Sequence, residues 1–192
     1  MTLDILLAEA RACRHCAELL PLGPRPTLQA SARARLLIVG QAPGSKVHAT
    51  GIPFNDPSGD RLREWLGIDR ATFYDAERLA IVPMGFCYPG RDPRGGDLPP
   101  RPECAPLWHP RLLPALPAVE LILLVGLYAQ AHYLGPRRKS SLTETVRAWR
   151  DYAPQFVPLP HPSWRNTAWL KKHPWFESEV LPELRGRVAA LI

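Results

Sequence analysis

The residue whose setting most strongly suggests chemistry is His161, which stands between Pro160 and Pro162. Each proline fixes its own φ angle and restricts the residue before it, so this pair would hold the imidazole at one position. The alternative is an ordinary structural histidine whose ring nitrogens are satisfied inside the fold. Taken alone, the residue leaves both interpretations open.

A second unusual segment covers residues 39–62 and reads VGQAPGSKVHATGIPFNDPSGDRL. Gly40 and Gly44 permit a tight turn whose exposed N–H groups could hold an anionic oxygen. The segment contains neither GxxxxGKS/T nor GxGxxG, so it does not predict a nucleotide cofactor. Phe54 and Asp56 then put an aromatic ring beside polar groups, although a core phenylalanine and a helix cap are the simpler interpretations.

Four cysteines form the third candidate group. Cys13 and Cys16 make a C-x-x-C pair, whereas Cys87 and Cys104 lie far along the chain with 16 residues between them. Disulfides are rare in the cytoplasm, so this spacing indicates either a metal site or coincidence.

The elements that must position these residues follow an alternating pattern. Continuous runs rich in Val, Ile and Leu predict buried strands at 35–39, 79–82, 120–125 and 155–159. Helical patterns cover 3–20, 59–66, 104–116, 128–134, 142–152 and 175–192, and Ser140 or Ser141 with Glu144 resembles a capping box. We therefore expect a single α/β domain over residues 1–192, with three αβα layers around a four-stranded, mainly parallel sheet. Ligands of such sheets bind at the carboxyl ends of the strands, where both unusual loops begin.

Composition limits the class of protein. The chain has 192 residues, 46% of them hydrophobic, and a net charge of +6, which favours a polyanionic partner. The basic residues concentrate in the second half, although a solvated face is the simpler interpretation: Arg137, Arg138, Lys139, Arg165, Lys171 and Lys172. The first 20 residues do not have the pattern of a signal peptide, and the longest apolar run, 121–129, is too short to span a bilayer. We expect a cytoplasmic monomer with no membrane partner.

The G-Q-A-P-G turn after the first strand and the H-P-S-x-R-N loop after the last one together resemble the uracil-DNA glycosylase superfamily. The resemblance runs from residue 13 to about residue 166 and mixes families. Residues 40–44 are similar to the G-E-A-P-G of the iron–sulfur family. GIPFNDPSGDRL is similar to a family whose loop reads G-x-x-F-T-G-D-x-S-G-D, with its catalytic aspartate at the position of Asp56. Residues 161–166 are similar to the single-strand-selective type, with Trp164 in place of proline.

This resemblance implies a DNA glycosylase that flips out and excises uracil, or another deaminated base, in base-excision repair. Cleavage builds negative charge on the departing base, and His161 with the backbone of Gly40, Gln41 and Ala42 would stabilise that charge. Phe54 would stack on the base, and Asp56 would orient or deprotonate the water. Arg165 would fill the gap left in the duplex, and the expected DNA contacts are Ser163, Arg165, Asn166, Lys171 and Lys172.

One position departs from the resemblance. The iron–sulfur family carries an asparagine four residues before its third cysteine, where this chain has Pro83. Proline offers neither a polar side-chain group nor an N–H, so it cannot read a base. Either the backbone of Met84 and Gly85 reads the base, or discrimination is relaxed. We expect uracil as the main substrate, with weaker rejection of thymine and cytosine.

The resemblance also implies that Cys13, Cys16, Cys87 and Cys104 hold a 4Fe–4S cluster, with tetrahedral zinc as the alternative. The cluster would pin the N-terminal helix and the loop 91–102. Two other functions remain open: a catalytically silent DNA-binding protein of the same fold, and an electron-transfer protein built around the cluster.

Overall fold

The computed structural model describes residues 2–192 and contains one four-stranded sheet at its centre. All strand pairs are parallel, and the spatial order is β2-β1-β3-β4. The strands are β1 Leu36–Val39, β2 Leu79–Ile81, β3 Leu121–Val125 and β4 Phe156–Leu159. Each predicted strand therefore exists and is one residue shorter than its hydrophobic pattern.

Helices cover both faces of the sheet, which confirms the expected three-layer α/β fold. Alternate residues of β1 point to opposite sides: Leu37 and Val39 pack in one core cluster, and Leu36 and Ile38 in the other. The helices of the structure are α1 Leu3–Arg11, α2 Ser45–Thr50, α3 Pro57–Leu66, α4 Arg70–Tyr74, α5 Cys104–Leu112, α6 Leu127–Leu134, α7 Leu142–Arg147, α8 Thr167–Lys172 and α9 Leu181–Ala189. Burial on both faces explains the continuous apolar runs of the strands.

Several helix bounds differ from the predicted ones. The first helix ends at Arg11, so Cys13 and Cys16 lie beyond it in non-helical chain. The predicted helix 142–152 is divided into α7 and a 3₁₀ turn at Trp149–Tyr152, and the last one opens with a π-helical turn at Phe176–Val180. The short helices α2, α4 and α8 were not predicted, since five or six residues carry too little periodicity.

Caps fix the ends of two helices next to the loops of interest. Asp56 is the N-cap of α3, and Pro57 occupies the first helical position. The hydroxyl of Ser141 accepts a hydrogen bond from the N–H of Glu144 at the start of α7, which confirms Ser141 as the N-cap. The carboxylate of Glu144 accepts from the hydroxyls of Ser140 and Ser141 and not from the N–H of Ser141, so half of the capping box is formed.

The chain leaves β1 toward β2 on one side and later places β3 on the other side of β1. Loops that leave β1 and β3 therefore diverge and open a crevice at the carboxyl ends of the strands. Across residues 2–192, no helix combines the length and the apolar character needed to cross a bilayer.

Candidate active site

A cavity of about 680 Å³ opens at the carboxyl ends of the strands. The loops that follow β1 and β4 both contribute to its wall, as the strand pattern predicted. Nine of the predicted site residues line it: Gly40, Gln41, Ala42, Phe54, Asp56, His161, Ser163, Arg165 and Asn166.

His161 is held as a hydrogen-bond donor. The N–H of Ser163 donates to Nδ1 of His161 at 3.3 Å, which assigns the ring proton of the neutral imidazole to Nε2. Burial lowers the pKa of His161, and the charge of Asp56 opposes this only in part. The amide of Asn166 donates to the carbonyl of His161 at 2.7 Å and fixes the loop. The imidazole is therefore neutral at neutral pH, with one N–H group free to donate.

Asp56 both caps a helix and lines the cavity. Its Oδ1 accepts a hydrogen bond from the N–H of Gly59 at 2.9 Å and caps α3. Its Oδ2 lies near Gly44, because a methyl group placed there would be 3.9 Å from that oxygen. The cap interpretation is thus confirmed, and it uses only one of the two carboxylate oxygens.

Phe54 lines the cavity in an uncommon backbone conformation. Its φ angle is 53°, in the left-handed region that few residues other than glycine adopt. A Cβ at residue 59 would lie 1.8 Å from the carbonyl oxygen of Phe54, so only Gly59 fits there. The ring packs over Gly40 and makes an edge contact with Phe73 at 6.1 Å. Phe54 is therefore half-buried against the core and still presents part of its ring to the cavity.

The turn at Gly40 is attached to the end of β2. The N–H of Met84 donates to the carbonyl of Gly40 at 2.9 Å, and the N–H of Gly85 donates to that of Gln41 at 2.9 Å. Within residues 2–192, the N–H groups of Gln41 and Ala42 donate to no other protein group. Two backbone donors at the cavity wall are thus available to an anionic oxygen.

These bonds limit how the backbone of Met84 and Gly85 could read a base, because they leave no N–H group of either residue to donate. Both N–H groups are already used, and neither residue lines the cavity. Pro83 does line it, but its carbonyl accepts a hydrogen bond from Nε2 of the buried His109 at 2.9 Å. The position of the family asparagine therefore presents an apolar ring and no free polar group.

A short hairpin that sequence reasoning missed forms another wall of the cavity. Arg91 and Asp97 pair as an antiparallel bridge, and the N–H of Asp92 donates to the carbonyl of Gly96 at 2.8 Å. Gly95 and Gly96 have φ angles of 100° and 94°, which glycine tolerates without strain. The sequence RDPRGGD signals such a turn, but only the fold brings it to the cavity, which is also lined by Thr27, Lys46, Tyr88, Arg91 and Asp97.

Arg165 holds this hairpin. Its Nη1 donates to the carbonyl of Gly95 at 3.1 Å, and the guanidinium lies directly beside Gly96. The neighbouring Trp164 is 72% exposed, and its ring contacts the same guanidinium. Trp164 therefore presents its side chain to solvent, whereas the guanidinium of Arg165 is partly occupied by its hydrogen bond to the hairpin.

Arg61 joins the two predicted loops and was also missed. It lies on α3, shortly after Asp56, and its Nη1 donates to the carbonyl of Ser163 at 2.9 Å. Its Nη2 lies 3.3 Å from the hydroxyl of Thr167. The helix that carries Asp56 is therefore tied to the loop that carries His161.

The basic groups outside the cavity differ in availability. Lys171 and Lys172 are exposed at the end of α8 and do not line the cavity. Arg137 donates to the carbonyl of Tyr133, and Lys139 forms an ion pair with Asp151 at 2.7 Å. The cluster at residues 137–139 is thus partly neutralised within the protein.

The four cysteines all line one small pocket of about 30 Å³, separate from the larger cavity. Burial raises the pKa of the Cys87 thiol to about 11 and that of the Cys104 thiol to about 12. Within residues 2–192, however, no three His, Cys, Asp or Glu side chains are placed so that they could hold a metal ion. The structure thus brings the cysteines together without showing their ligation.

The sequence was also compared with models of known protein families. The family model described as the uracil DNA glycosylase superfamily matches residues 28–185, which is most of the chain and includes every predicted cavity residue.

Proposed function

The chain belongs to the uracil-DNA glycosylase superfamily, and from this membership we propose that it excises uracil from DNA by hydrolysing the N-glycosidic bond. The superfamily supports glycosylase activity in general, whereas uracil as the base is our proposal. The main support for this proposal is that a neutral His161 donor, the Asp56 carboxylate and the Phe54 ring all line one cavity.

The reaction follows from these groups. The bond between C1′ and the base breaks with its electron pair moving to the base, while the sugar gains oxocarbenium character. Nε2 of His161 and the N–H groups of Gln41 and Ala42 donate to the base oxygen on which negative charge grows. The Asp56 carboxylate favours the cationic sugar and orients the water that bonds to C1′. One proton of that water passes through carboxylate or solvent to the base, which leaves a free base and an abasic site.

Selection of the base rests on few polar contacts. Pro83 offers no hydrogen-bonding group to the Watson–Crick edge, and the nearby N–H groups of Met84 and Gly85 are used within the protein. Uracil fits the Phe54 stack and a donor to its O2 oxygen. Loss of a polar readout can lower selectivity by several orders of magnitude, so we propose weaker rejection of thymine and cytosine than an asparagine would give.

The test is excision from matched oligonucleotides. Duplexes that carry uracil, thymine, cytosine, hypoxanthine or xanthine at one site are incubated with the protein and cleaved with alkali. We expect the fastest release from uracil. A higher hypoxanthine rate would contradict the uracil assignment. Tight binding of uracil-containing DNA without release of any base would favour the silent DNA-binding alternative.

We also propose that Cys13, Cys16, Cys87 and Cys104 hold a 4Fe–4S cluster. The proposal is supported by their shared pocket and by thiolate as the ligand type of such clusters. When bound, the cluster would be structural, because the thiols lie in a pocket apart from the cavity. The cysteines would then fasten the chain after α1 to both ends of the segment 88–103, which includes the cavity hairpin.

Purified anaerobically, the protein should be brown and contain about four iron atoms and four sulfides per chain. Cys87→Ser or Cys104→Ser should reduce solubility before it reduces the rate of base release in the protein that stays soluble. Colourless protein with stoichiometric zinc would replace the cluster with the tetrahedral alternative.

A further inference from the structure

The cavity contains a second carboxylate that the proposed reaction has not used. Asp97 belongs to the hairpin between Cys87 and Cys104 and lines the same cavity as Asp56. The two residues are 41 positions apart in sequence, so only the fold brings them together. Asp97 is exposed to the solvent of the cavity, where a substrate would meet it.

The two carboxylates meet at Gly44. A methyl group placed on this glycine would lie 3.3 Å from Oδ2 of Asp97 and 3.9 Å from Oδ2 of Asp56. The two oxygens therefore lie no further apart than the sum of these distances, so both carboxylates border the same space beside Gly44. Gly44 has a φ angle of −83°, so the absence of a side chain there is not required by the backbone. A side chain at this position would instead occupy space next to both carboxylates.

The charges around Asp97 come from several elements. Arg165 of the loop after β4 and Arg91 of the hairpin favour its ionised form, and the hydroxyl of Tyr88 is hydrogen-bonded to it. Partial desolvation and the charge of Asp56 act in the opposite direction and prevail, so the pKa of Asp97 is raised above its ordinary value. The carboxylate is thus held in place and is a stronger proton acceptor than a free aspartate.

We propose that Asp97 is a second catalytic carboxylate and that it holds the attacking water between itself and Asp56. This inference rests on the proposed glycosylase function. The water oxygen bonds to C1′ as the N-glycosidic bond breaks toward the base. One water proton moves to the Asp97 carboxylate and is later released to solvent or to the departing base. The Asp56 carboxylate faces the cationic sugar.

The test measures single-turnover release of uracil by Asp97→Asn, with Asp92→Asn as the matched control. Asp92 lies in the same hairpin, accepts a hydrogen bond from the N–H of Arg94 at 2.8 Å, and does not line the cavity. We expect Asp97→Asn to lower the rate by at least about tenfold and to move the acid limb of the pH–rate profile to lower pH. Asp97→Glu should restore part of the rate, and Asp92→Asn should stay within about twofold of the wild type.

A second variant keeps both carboxylates. Gly44→Ala places a methyl group 3.3 Å from Oδ2 of Asp97 and 3.9 Å from Oδ2 of Asp56, so it should displace a water held by both carboxylates and lower the rate at unchanged thermal stability. If Asp97→Asn does not fold, Gly44→Ala still tests whether the two carboxylates share a water. A full rate in Gly44→Ala, an equal loss in Asp92→Asn, or an unmoved acid limb in Asp97→Asn would each overturn the inference and leave the glycosylase function intact. If the wild type releases no base, the proposed function fails and the inference falls with it.

Discussion

At the scale of single residues, the candidate site assigns separate tasks to atoms of the same side chain. Oδ1 of Asp56 holds the start of α3, while Oδ2 faces the cavity. Nδ1 of His161 accepts from the loop backbone, which leaves Nε2–H for a ligand. Because one atom of each group is held by the protein, the position of the other atom is set before a ligand arrives, and a donor preorganised in this way needs no reorganisation on binding.

Because Asp56 caps α3 through one oxygen only, its substitution by asparagine should lower activity without unfolding the protein. Asp56→Asn should lower single-turnover base release by at least about a hundredfold, because a neutral amide does not favour a cationic sugar. Folding should survive, since asparagine caps helices as well as aspartate does. Release is measured by alkaline cleavage and folding by thermal melting.

The matched control for this substitution is Asp69→Asn. Asp69 caps α4 through a 2.7 Å hydrogen bond from the N–H of Thr72 and does not line the cavity. It should keep both stability and rate. Near-full activity in Asp56→Asn would mean that another group places the water.

His161→Ala should also lower base release by about a hundredfold, the scale seen when one donor to a developing negative charge is removed. The effect should fall on the rate of the chemical step in single-turnover experiments, not on the affinity for undamaged DNA. Circular dichroism and thermal melting check that the variant folds. A reduction of less than about threefold would contradict the assigned role.

At the scale of elements, a buried polar chain connects two helices to the end of β2. His109 of α5 donates from Nε2 to the carbonyl of Pro83, and its Nδ1 lies 2.6 Å from the hydroxyl of Tyr133 on α6. This bonding makes Nδ1 the acceptor of the tyrosine proton. The peptide that carries Pro83 is thus fixed from behind the cavity.

This chain of hydrogen bonds predicts acid sensitivity. Burial lowers the pKa of His109 to about 4, whereas the unfolded chain takes up the proton near pH 6.5. The unfolded state therefore binds more protons between these values, so the stabilisation is complete above pH 6.5 and is lost as the pH falls toward 4. Over that window, the free energy of unfolding should decrease by at most about 3 kcal/mol through this residue.

The measurement is denaturant unfolding at a series of pH values for the wild type and His109→Gln. Glutamine has an amide to donate to Pro83 but takes up no proton, so its unfolding free energy should depend less on pH between 6.5 and 4. His173→Gln, beyond the end of α8, serves as the control and should retain the wild-type dependence. Identical pH dependence in His109→Gln and wild type would refute the prediction.

At the scale of the whole molecule, the net charge is +6, but the basic side chains differ in how accessible they are to a polyanion. Lys46, Arg91 and Arg165 line the cavity, and Lys171 and Lys172 stand exposed at the end of the helix that follows the His161 loop. The cluster at residues 137–139 is partly occupied by contacts within the protein. The open face of the cavity and the end of α8 are therefore the surface to which we assign the phosphate contacts.

Affinity for undamaged duplex should fall steeply with salt concentration, because phosphate contacts release counterions. Lys171→Gln combined with Lys172→Gln should reduce the slope of log affinity against log salt by about one for each phosphate that the variant no longer neutralises. The comparison is Arg137→Gln combined with Arg138→Gln, which removes the same charge and should change the slope less. The opposite ranking would move the phosphate contacts to residues 137–139.

Much of the fold was predictable because it depends on local patterns. The strands were found from continuous apolar runs, since a sheet covered on both faces leaves no polar alternation. The cap at Asp56 was recognised as one interpretation of a local signal, as was the helix cap at Ser141. The position of the two loops followed from a rule of parallel sheets, because both loops leave the carboxyl ends of strands.

The sequence by itself determined which residue types lie in the cavity loops, because their order along β1, α3 and β4 brings Asp56, Phe54 and His161 to one edge of the sheet. Only the tertiary structure decided what depends on contacts between distant segments. In the folded chain, the N–H groups of Met84 and Gly85 form hydrogen bonds with the Gly40 turn. The hairpin that carries Asp97 lies next to Gly44. Neither result is encoded in a local pattern, since a hydrogen bond or an electrostatic pair is fixed by distances in space and not by spacing along the chain.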